Sequence, residues 1–357
     1  MDNIKDKVLI VYHKDDNDGV FSGALIYKYL TKYMYDGIRI KKENITLLPA
    51  DYNMLDELAK DEGKELCPKY WKTRFGQVYM TDISFNDSKV INRIYNDFHH
   101  PDRVFCWIDH HSHAIKKSRS YDYNKSSGIR EIYTSALGLV YEYFLDPLRV
   151  KENNGKMPLL FQYLAGWDSF NPKRYGFTID ECYGINLAVN AKYLLDFNKV
   201  LECIDEVMYP DYTESDNGKN IVSELLLQSE TILEYERYRN KIIVEEYGDF
   251  DWTFYINGKK RKAVALFIQG PTTSKMFESV KDKVDHAIVF KHLPNNKWSG
   301  SIYNVRHEDD KIYNLGKWIN TICKIGGGHP GAAGFTISNA EFNRWNKNKT
   351  VGNINYV

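Results

Sequence analysis

Acidic and imidazole side chains follow several apolar runs of this chain at the points where the runs end. The run Val104–Ile108 has the composition of a buried strand, and Asp109, His110 and His111 follow it directly. Open α/β sheets bind their ligands at the carboxyl ends of their strands, where side chains of this kind would meet. The stretch therefore predicts a polar site at one edge of an α/β sheet.

Three further apolar segments end in the same way. They are the predicted strands Val8–Tyr12 and Val78–Thr81 and the predicted helix Met157–Trp167. The polar residues that follow them are His13, Asp16, Asp18, Asp82 and Asp168. Carboxylates and imidazoles without thiolates suit Mn²⁺ or Mg²⁺, and the imidazoles favour Mn²⁺. Any one of these residues has an ordinary reading as a turn or capping residue, but together they predict a metal site.

The spacing of apolar residues predicts the fold class. Short strands at Val8–Tyr12, Ile45–Ala50, Val78–Thr81 and Val104–Ile108 alternate with helical patterns, of which Val20–Leu30 is the first. This alternation is typical of a doubly wound, mostly parallel sheet. The shorter strands and helices nearer the C-terminus predict a smaller α+β domain, and a helical linker is expected to join the two.

The chain has 357 residues, which is enough for two domains with separate cores. The turn-rich segment 209–217 (YPDYTESDN) is the best candidate for a hinge. The predicted divisions are an N-terminal domain at 1–210, a hinge and connector helix at 211–248, a C-terminal domain at 249–345 and a frayed tail at 346–357.

The composition limits the classes of protein to which the chain can belong. The 48 Lys and Arg residues balance the 48 Asp and Glu residues, which argues against a general coater of duplex nucleic acid. The five cysteines form no CxxC pair, as expected for reduced thiols. No leader peptide is visible, and no apolar stretch approaches the ~20 residues of a membrane span. We expect a cytoplasmic protein of a bacterium or phage, without a membrane partner.

The motifs as a set resemble the DHH phosphoesterase superfamily, in the branch with a DHHA1-type C-terminal domain. The resemblance is carried by HKDDNDG at 13–19, Asp82, the triplet at 109–111, Asp168 and GGGHPGAAG at 326–334. It extends from about Val8 to about Phe335. The branch includes RecJ-like nucleases, nano-RNases, pAp phosphatases and cyclic-dinucleotide phosphodiesterases. Family-II inorganic pyrophosphatases share the DHH motifs but carry a basic Arg/Lys signature where this chain has GGGHPGAAG.

The resemblance implies a role for each motif residue. One metal ion would be held by His13, Asp16 and Asp82, and the other by Asp18, Asp82, His110 and Asp168. Asp109 would orient a ligand imidazole, and His111 would face the substrate as a catalytic residue. Many relatives place three residues between the first His and the first Asp, whereas His13 and Asp16 have two between them. This departure leaves the register open, so Asp15 competes with Asp16 as the ligand.

The C-terminal motif implies substrate binding. In the family the glycine-rich segment grips the substrate, which here points to Gly326, Gly327, Gly328 and His329. Backbone N–H groups of glycines can approach a phosphate closely. The family also has an arginine near the position of Arg306, whose guanidinium can hold a phosphate with two hydrogen bonds.

The predicted function is that of a two-metal phosphodiesterase, an exonuclease-type hydrolase that releases nucleoside monophosphates from short single-stranded RNA or DNA or from dinucleotides. Two divalent ions ~3.5–4 Å apart can clamp the attacking and leaving oxygens of a phosphoryl transfer. A cyclic dinucleotide or pAp is the alternative substrate for the same site. A catalytically silent nucleotide-binding protein is the alternative outside the enzyme class. The oligomeric state stays open, a homodimer included.

Overall fold

The structure is a computed structural model that describes residues 4–33, 39–118, 126–145, 157–208, 217–256, 258–270, 272–306, 314–323, 325–328 and 330–352. The chain divides into two compact units, Met1–Ile232 and Leu233–Val357. No helix among the described residues is both long enough and apolar enough to cross a membrane.

The N-terminal unit is built on a four-stranded parallel sheet. Its strands are β1 (Val8–His13), β2 (Ile45–Ala50), β3 (Gln77–Thr81) and β4 (Val104–Ile108), in the order β2-β1-β3-β4. Val8 pairs with residue 45 on one side and with residue 77 on the other, so the carboxyl ends of the strands lie at one edge. The predicted strand positions and parallel arrangement are confirmed.

Helices cover both faces of this sheet, as a doubly wound fold requires. The helices of this unit are α1 (Asn17–Lys28), α2 (Tyr52–Lys60), α3 (Trp71–Arg74), α4 (Ser88–Phe98), α5 (Ser112–Ser118), α6 (Ala136–Phe144), α7 (Leu159–Asp168), α8 (Ile179–Tyr193) and α9 (Phe197–Met208). Alternate residues of β1 face opposite layers. Ile10 packs in the core with α1 and α6 to α9, whereas Val11 packs in the core with α2 to α4.

Some helix boundaries differ from the sequence expectations. Helix α1 begins three residues before the predicted Val20 because the Asp16 side chain caps it by accepting a hydrogen bond from Gly19 N. Ser135 caps α6, one residue after Thr134, which the sequence also favours as a cap for a helix over 135–144. The pattern at 180–209 predicts a mostly helical stretch, and the structure has two helices there, since Leu194 and Leu195 have positive φ angles of 56° and 54°.

The C-terminal unit contains a seven-stranded mixed sheet. Its strands are β5 (Thr253–Ile256), β6 (Lys259–Phe267), β7 (His286–Leu293), β8 (Lys297–Asn304), β9 (Ile325–Gly328), β10 (Ala332–Ser338) and β11 (Thr350–Val351). Their order is β11-β5-β6-β7-β8-β10-β9. Helices α11 (Leu315–Ile322) and α12 (Asn339–Asn348) contribute Trp318 and Trp345 to one core of this sheet. Helix α10 (Asn217–Tyr247) belongs partly to each unit.

Strands β5, β9 and β11 and helix α12 of the C-terminal unit were not predicted. The glycines 326–328, to which no strand was assigned, lie in edge strand β9 and pair with β10. The tail, expected to fray from residue 346, carries the end of α12 and strand β11, which pairs with β5. Apart from Asn217, the first residue of α10, the predicted hinge lies outside the described residues, as does His329.

Gly19 fixes the approach of α1 to β1, and we predict that Gly19→Ala is destabilising. A Cβ at this position would lie 2.2 Å from the His13 carbonyl oxygen, which is backbone and cannot turn aside. The free energy of unfolding should fall by about 1–3 kcal/mol, as in overpacked cores. Urea denaturation of both proteins measures it.

The matched control is Gly63→Ala, since a Cβ there meets only the Asp61 side chain at 3.3 Å. Its free energy of unfolding should change by less than about 0.5 kcal/mol. Equal stability of Gly19→Ala and the parent chain would contradict the close approach of α1 to β1.

Candidate metal and active site

The predicted ligands converge at the carboxyl edge of the parallel sheet. His13 is the last residue of β1, Asp82 directly follows β3, and the triplet at 109–111 directly follows β4. Asp168 is the last residue of α7, which brings its carboxylate to the same place. Neighbouring parallel strands end side by side, so residues far apart in sequence become neighbours here.

The first donor group consists of His13, Asp16 and Asp82, each with one ligand atom within 4.8 Å of the others. His13 Nδ1 lies 2.9 Å from Asp16 Oδ2 and 3.7 Å from Asp82 Oδ2. The other Asp16 oxygen accepts the hydrogen bond from Gly19 N at 2.9 Å. Asp16 is therefore held by the start of α1 while one oxygen faces His13.

Asp15, the competing candidate, lies farther from this group. Its Oδ2 is 3.8 Å from His13 Nε2, and its side chain is 56% exposed. The geometry brings Asp16, and not Asp15, together with His13 and Asp82. The ligand role of Asp16 itself stays a prediction.

The second donor group consists of Asp18, His110 and Asp168, again within 4.8 Å of one another. His110 Nε2 lies 3.0 Å from Asp168 Oδ2, 3.3 Å from Asp82 Oδ1 and 3.7 Å from Asp18 Oδ2. A third group joins Asp82 and His110 to His111. Asp82 thus takes part in two of the groups, which is the arrangement expected of a carboxylate shared by two ions.

The N-terminus of α6 holds Asp18. Its two carboxylate oxygens accept hydrogen bonds from Ala136 N at 2.8 Å and Leu137 N at 2.9 Å. Free N–H groups and the helix dipole at an N-terminus stabilise a negative charge. Burial, with the charges of Asp168 and Asp82, nevertheless raises the pKa of Asp18. The carboxylate is fixed in place, and the positive charge of His110, which acts to lower its pKa, does not outweigh burial and the neighbouring acids.

Asp82 is buried and has an unusual backbone. It is 1% exposed, and its φ of 58° lies in the left-handed region. Burial acts to raise its pKa, but contacts with His110 and His13 outweigh this, so the pKa lies below its usual value. A left-handed backbone costs free energy, and contacts of the surrounding structure must offset that cost, as they do for strained residues at functional sites.

Two of these carboxylates have oxygens that suit a cation. Among the described residues, Asp82 Oδ1 and Asp168 Oδ2 are buried and receive no hydrogen bond, although His110 Nε2 lies close to both. The imidazole is beside these oxygens without donating along a hydrogen-bond direction. Buried charged oxygens without partners are costly unless a cation compensates them. The residues therefore fit divalent ions with oxygen and nitrogen ligands.

The imidazoles hold protons when surrounded by these acids alone. Burial would lower the pKa of His13, but hydrogen bonds and charges from Asp16 and Asp82 raise it to about 11. Burial acts in the same downward direction on His110, and the Asp168 and Asp82 carboxylates raise its pKa well above the usual value. Binding of a divalent ion would displace these protons, so apparent metal affinity should rise with pH.

Asp109 holds His111. It is fully buried, and its Oδ1 accepts the hydrogen bond from His111 N at 3.0 Å and lies 2.8 Å from His111 Nδ1. Burial would lower the pKa of His111, but Asp109 raises it. The sequence analysis expected Asp109 to orient a ligand imidazole. The imidazole that it orients is the one expected to face the substrate.

Tyr52 is a neighbour of the site that the sequence analysis missed. Its ring centroid lies 5.7 Å from that of His13 and 6.1 Å from that of His111. Burial and the charges of nearby carboxylates raise the pKa of Tyr52 far above its usual value, so its hydroxyl stays protonated. The signal was available, because Tyr52 follows β2 just as the other site residues follow β1, β3 and β4.

The predicted substrate residues of the C-terminal unit have structural roles of their own. The Arg306 guanidinium donates to the carbonyls of Lys281 and Asp282 and lies 3.2 Å from Asp285 Oδ1. A Cβ at Gly328 would lie 2.4 Å from the Ala332 carbonyl oxygen, so this position requires glycine for packing.

Gly326 and Gly327 are less constrained. A Cβ at Gly326 would make tight contacts at 3.2 Å, and one at Gly327 would meet nothing closer than 3.9 Å. Packing therefore does not explain glycine at 327. Phosphate binding by Arg306 and by residues 326–328 stays a prediction, as does that by His329, which lies outside the described residues.

No family model matches the sequence, and no curated protein does. Similar solved structures include an uncharacterized protein from Helicobacter pylori, with 13% identity over 96% of this chain and 99% of that one, at a TM-score of 0.38. The pGpG-specific phosphodiesterase PggH from Vibrio cholerae has 13% identity, covers 96% of both chains and has a TM-score of 0.45.

RecJ from Thermus thermophilus in complex with Mn²⁺ is also similar, with 12% identity, 96% of this chain covered and a TM-score of 0.46. The match covers 51% of that RecJ.

The two candidate acids of the first motif can be separated by metal binding. Asp16→Asn keeps the cap of α1, since Asn also caps helices, but removes the charge beside His13. We expect Mn²⁺ affinity to fall about tenfold or more in Asp16→Asn and to change less than about threefold in Asp15→Asn. Isothermal titration calorimetry at one fixed pH measures both. A larger loss in Asp15→Asn would make Asp15 the ligand.

Proposed function

We propose that this chain is a phosphodiesterase that uses two divalent metal ions, with Mn²⁺ as the preferred ion and Mg²⁺ as the alternative. The observation that carries the proposal is the convergence of three donor groups linked by Asp82 and His110 at the carboxyl edge of the parallel sheet. Among the described residues, one buried oxygen of Asp82 and one of Asp168 receive no hydrogen bond. They support the proposal because a buried negative charge is costly unless a positive charge compensates it.

The ligands divide between two ions in this proposal. His13, Asp16 and Asp82 hold one, and the residues that hold the other are Asp18, Asp82, His110 and Asp168. When bound, such ions neutralise charge on phosphoryl oxygens and supply a nucleophile at neutral pH. The α6 N-terminus keeps the Asp18 carboxylate in place for this role.

His111 is the proposed general acid. Asp109 fixes the ring through Nδ1, which leaves Nε2 as the atom that can hold a proton toward the substrate. The side chain is 31% exposed, so a substrate oxygen can reach it. A protonated imidazole near a leaving ribose oxygen can transfer its proton as the P–O bond breaks.

The substrate class follows from the motif resemblance. We propose short single-stranded RNA or DNA and linear dinucleotides, cleaved to nucleoside monophosphates, with the glycine-rich segment 326–329 and Arg306 binding the phosphate. Cyclic dinucleotides and pAp are alternative substrates of the same chemistry. The balanced formal charge of the chain agrees with a short substrate better than with a long duplex.

A substrate panel tests the proposal. Purified protein with Mn²⁺ is incubated with pApA, short RNA, short DNA, cyclic dinucleotides, pAp and pyrophosphate, and the products are separated by chromatography. We expect mononucleotides from the linear substrates, loss of activity with EDTA, and a fall in kcat of about a hundredfold or more in Asp82→Asn. Asp15→Asn is the matched control and should stay within about threefold of the parent chain.

The other possible results of the panel are also informative. Preference for a cyclic dinucleotide or pAp would change the assigned substrate but not the proposed active site. Tight nucleotide binding without any turnover would contradict the proposal that the chain is an enzyme and would indicate a nucleotide-binding protein.

Replacement of His111 separates a general acid from a metal ligand. We expect His111→Gln to lower kcat by about a hundredfold or more, since general acid–base catalysis contributes ~10²–10⁴. Mn²⁺ affinity, measured by calorimetry, should change less than about threefold. His99→Gln, on a loop outside the donor groups, is the control. A loss of Mn²⁺ affinity equal to that of Asp82→Asn would make His111 a ligand and contradict its role as the acid.

A further inference from the structure

We propose that the Tyr52 hydroxyl donates a hydrogen bond to a phosphoryl oxygen of the substrate and is a further catalytic residue of this site. The inference rests on the proposed function. It names a residue of α2, an element that contributes none of the metal-binding or acid-base residues above.

The start of α2 fixes the position of Tyr52. The side chain of Asp51 caps this helix by accepting a hydrogen bond from Met54 N at 2.8 Å. Lys14, the residue after β1, lies 2.9 Å from Asp51 and ties the same turn to the neighbouring strand end. Tyr52 is therefore held at the carboxyl edge of the sheet by two contacts of the preceding residue.

The ring of Tyr52 lies against both imidazoles that border the site. It meets the His111 ring edge-to-face, with an interplanar angle of 88°, and is tilted by 54° relative to the His13 ring. One of these is a proposed metal ligand and the other the proposed acid. A group between them is placed beside the position that a reacting phosphate must occupy.

The hydroxyl of Tyr52 has no hydrogen bond with any residue that the structure describes. Two other tyrosines of this unit do have one, since Tyr79 donates to Gln77 Oε1 at 2.9 Å and Tyr175 bonds Thr134 Oγ1 at 2.6 Å, whereas the buried Tyr193 hydroxyl has none among the described residues. A half-buried hydroxyl usually finds an acceptor. A phosphate bound beside the donor groups would supply an oxygen that accepts a hydrogen bond from the Tyr52 hydroxyl. A fixed hydrogen-bond donor beside an oxygen that gains charge is a common means of stabilising a transition state.

Tyr52→Phe tests the proposal, because it removes the hydroxyl and keeps the ring contacts. We expect kcat/KM for pApA to fall about tenfold to a hundredfold, the range for one hydrogen bond to a charged group. Inorganic phosphate should bind about tenfold more weakly in the presence of Mn²⁺. Mn²⁺ affinity and the thermal midpoint should match those of the parent chain, because neither depends on the hydroxyl.

The control is Tyr79→Phe, which removes a hydroxyl from β3 of the same unit, away from the donor groups, and should leave kcat/KM and phosphate binding unchanged. Unchanged phosphate binding and turnover in Tyr52→Phe would overturn the proposal while the phosphodiesterase stands. Tyr52→Phe could instead lower the thermal midpoint, Mn²⁺ affinity and phosphate binding by similar factors. That result would also overturn the proposal, because it would indicate a packing role for the hydroxyl. If the parent chain cleaves no phosphodiester, the proposed function fails. Comparison of inorganic phosphate binding by Tyr52→Phe and the parent chain still shows whether the Tyr52 hydroxyl contacts a phosphate.

Discussion

Repulsion among four aspartates in a small, largely buried volume is the constraint on which the N-terminal unit depends. Asp18 and Asp82 are 2% and 1% exposed, and Asp16 and Asp168 lie against the same imidazoles. At short range in a poorly polarisable interior, charges of one sign cannot stay together without compensation. The unit supplies part of it through two imidazoles and a helix N-terminus, and within the described part of the chain Asp82 Oδ1 and Asp168 Oδ2 receive no hydrogen bond.

The sheet order is what brings these groups together. Because β1 and β3 are the inner strands and β4 adjoins β3, the residues that follow them end as neighbours at one edge. Helix α1 adds Asp18, and α7 adds Asp168 from a different layer. Glycine at position 19 lets α1 come close enough to β1 for the first motif to fold back on itself. The donor groups are thus a consequence of topology combined with one close helix–strand contact.

Much of this unit could be predicted from the sequence because its signals are local. Apolar runs of four or five residues followed by polar site residues marked β1, β3 and β4, and the same edge rule placed those following residues together. The start of α1 was misplaced because the polar stretch before Val20 was read as a loop, whereas the Asp16 side chain caps the helix. Tyr52 was missed for a different reason. An aromatic residue carries no ligand chemistry, so its position after β2 drew no attention until its packing against the imidazoles was seen.

The C-terminal unit was harder to predict for a physical reason. Glycines allow both loops and tightly packed strands, and the pairing of residues 326–328 with β10 depends on contacts distant in sequence. Strand β11 is only two residues long and is defined by its partner β5, so no local pattern could have indicated it. Arg306 was expected to be available for phosphate, but an arginine at a strand end can equally serve neighbouring carbonyls.

The left-handed backbone at Asp82 lowers the stability of the chain at a residue of the candidate site. Glycine adopts this conformation without the penalty of about 1–2 kcal/mol that a side chain incurs. A glycine here would remove that penalty but also the carboxylate that His13 and His110 contact, which holds a pKa below its usual value. The backbone conformation and the contacts of the side chain therefore favour different residues at this one position.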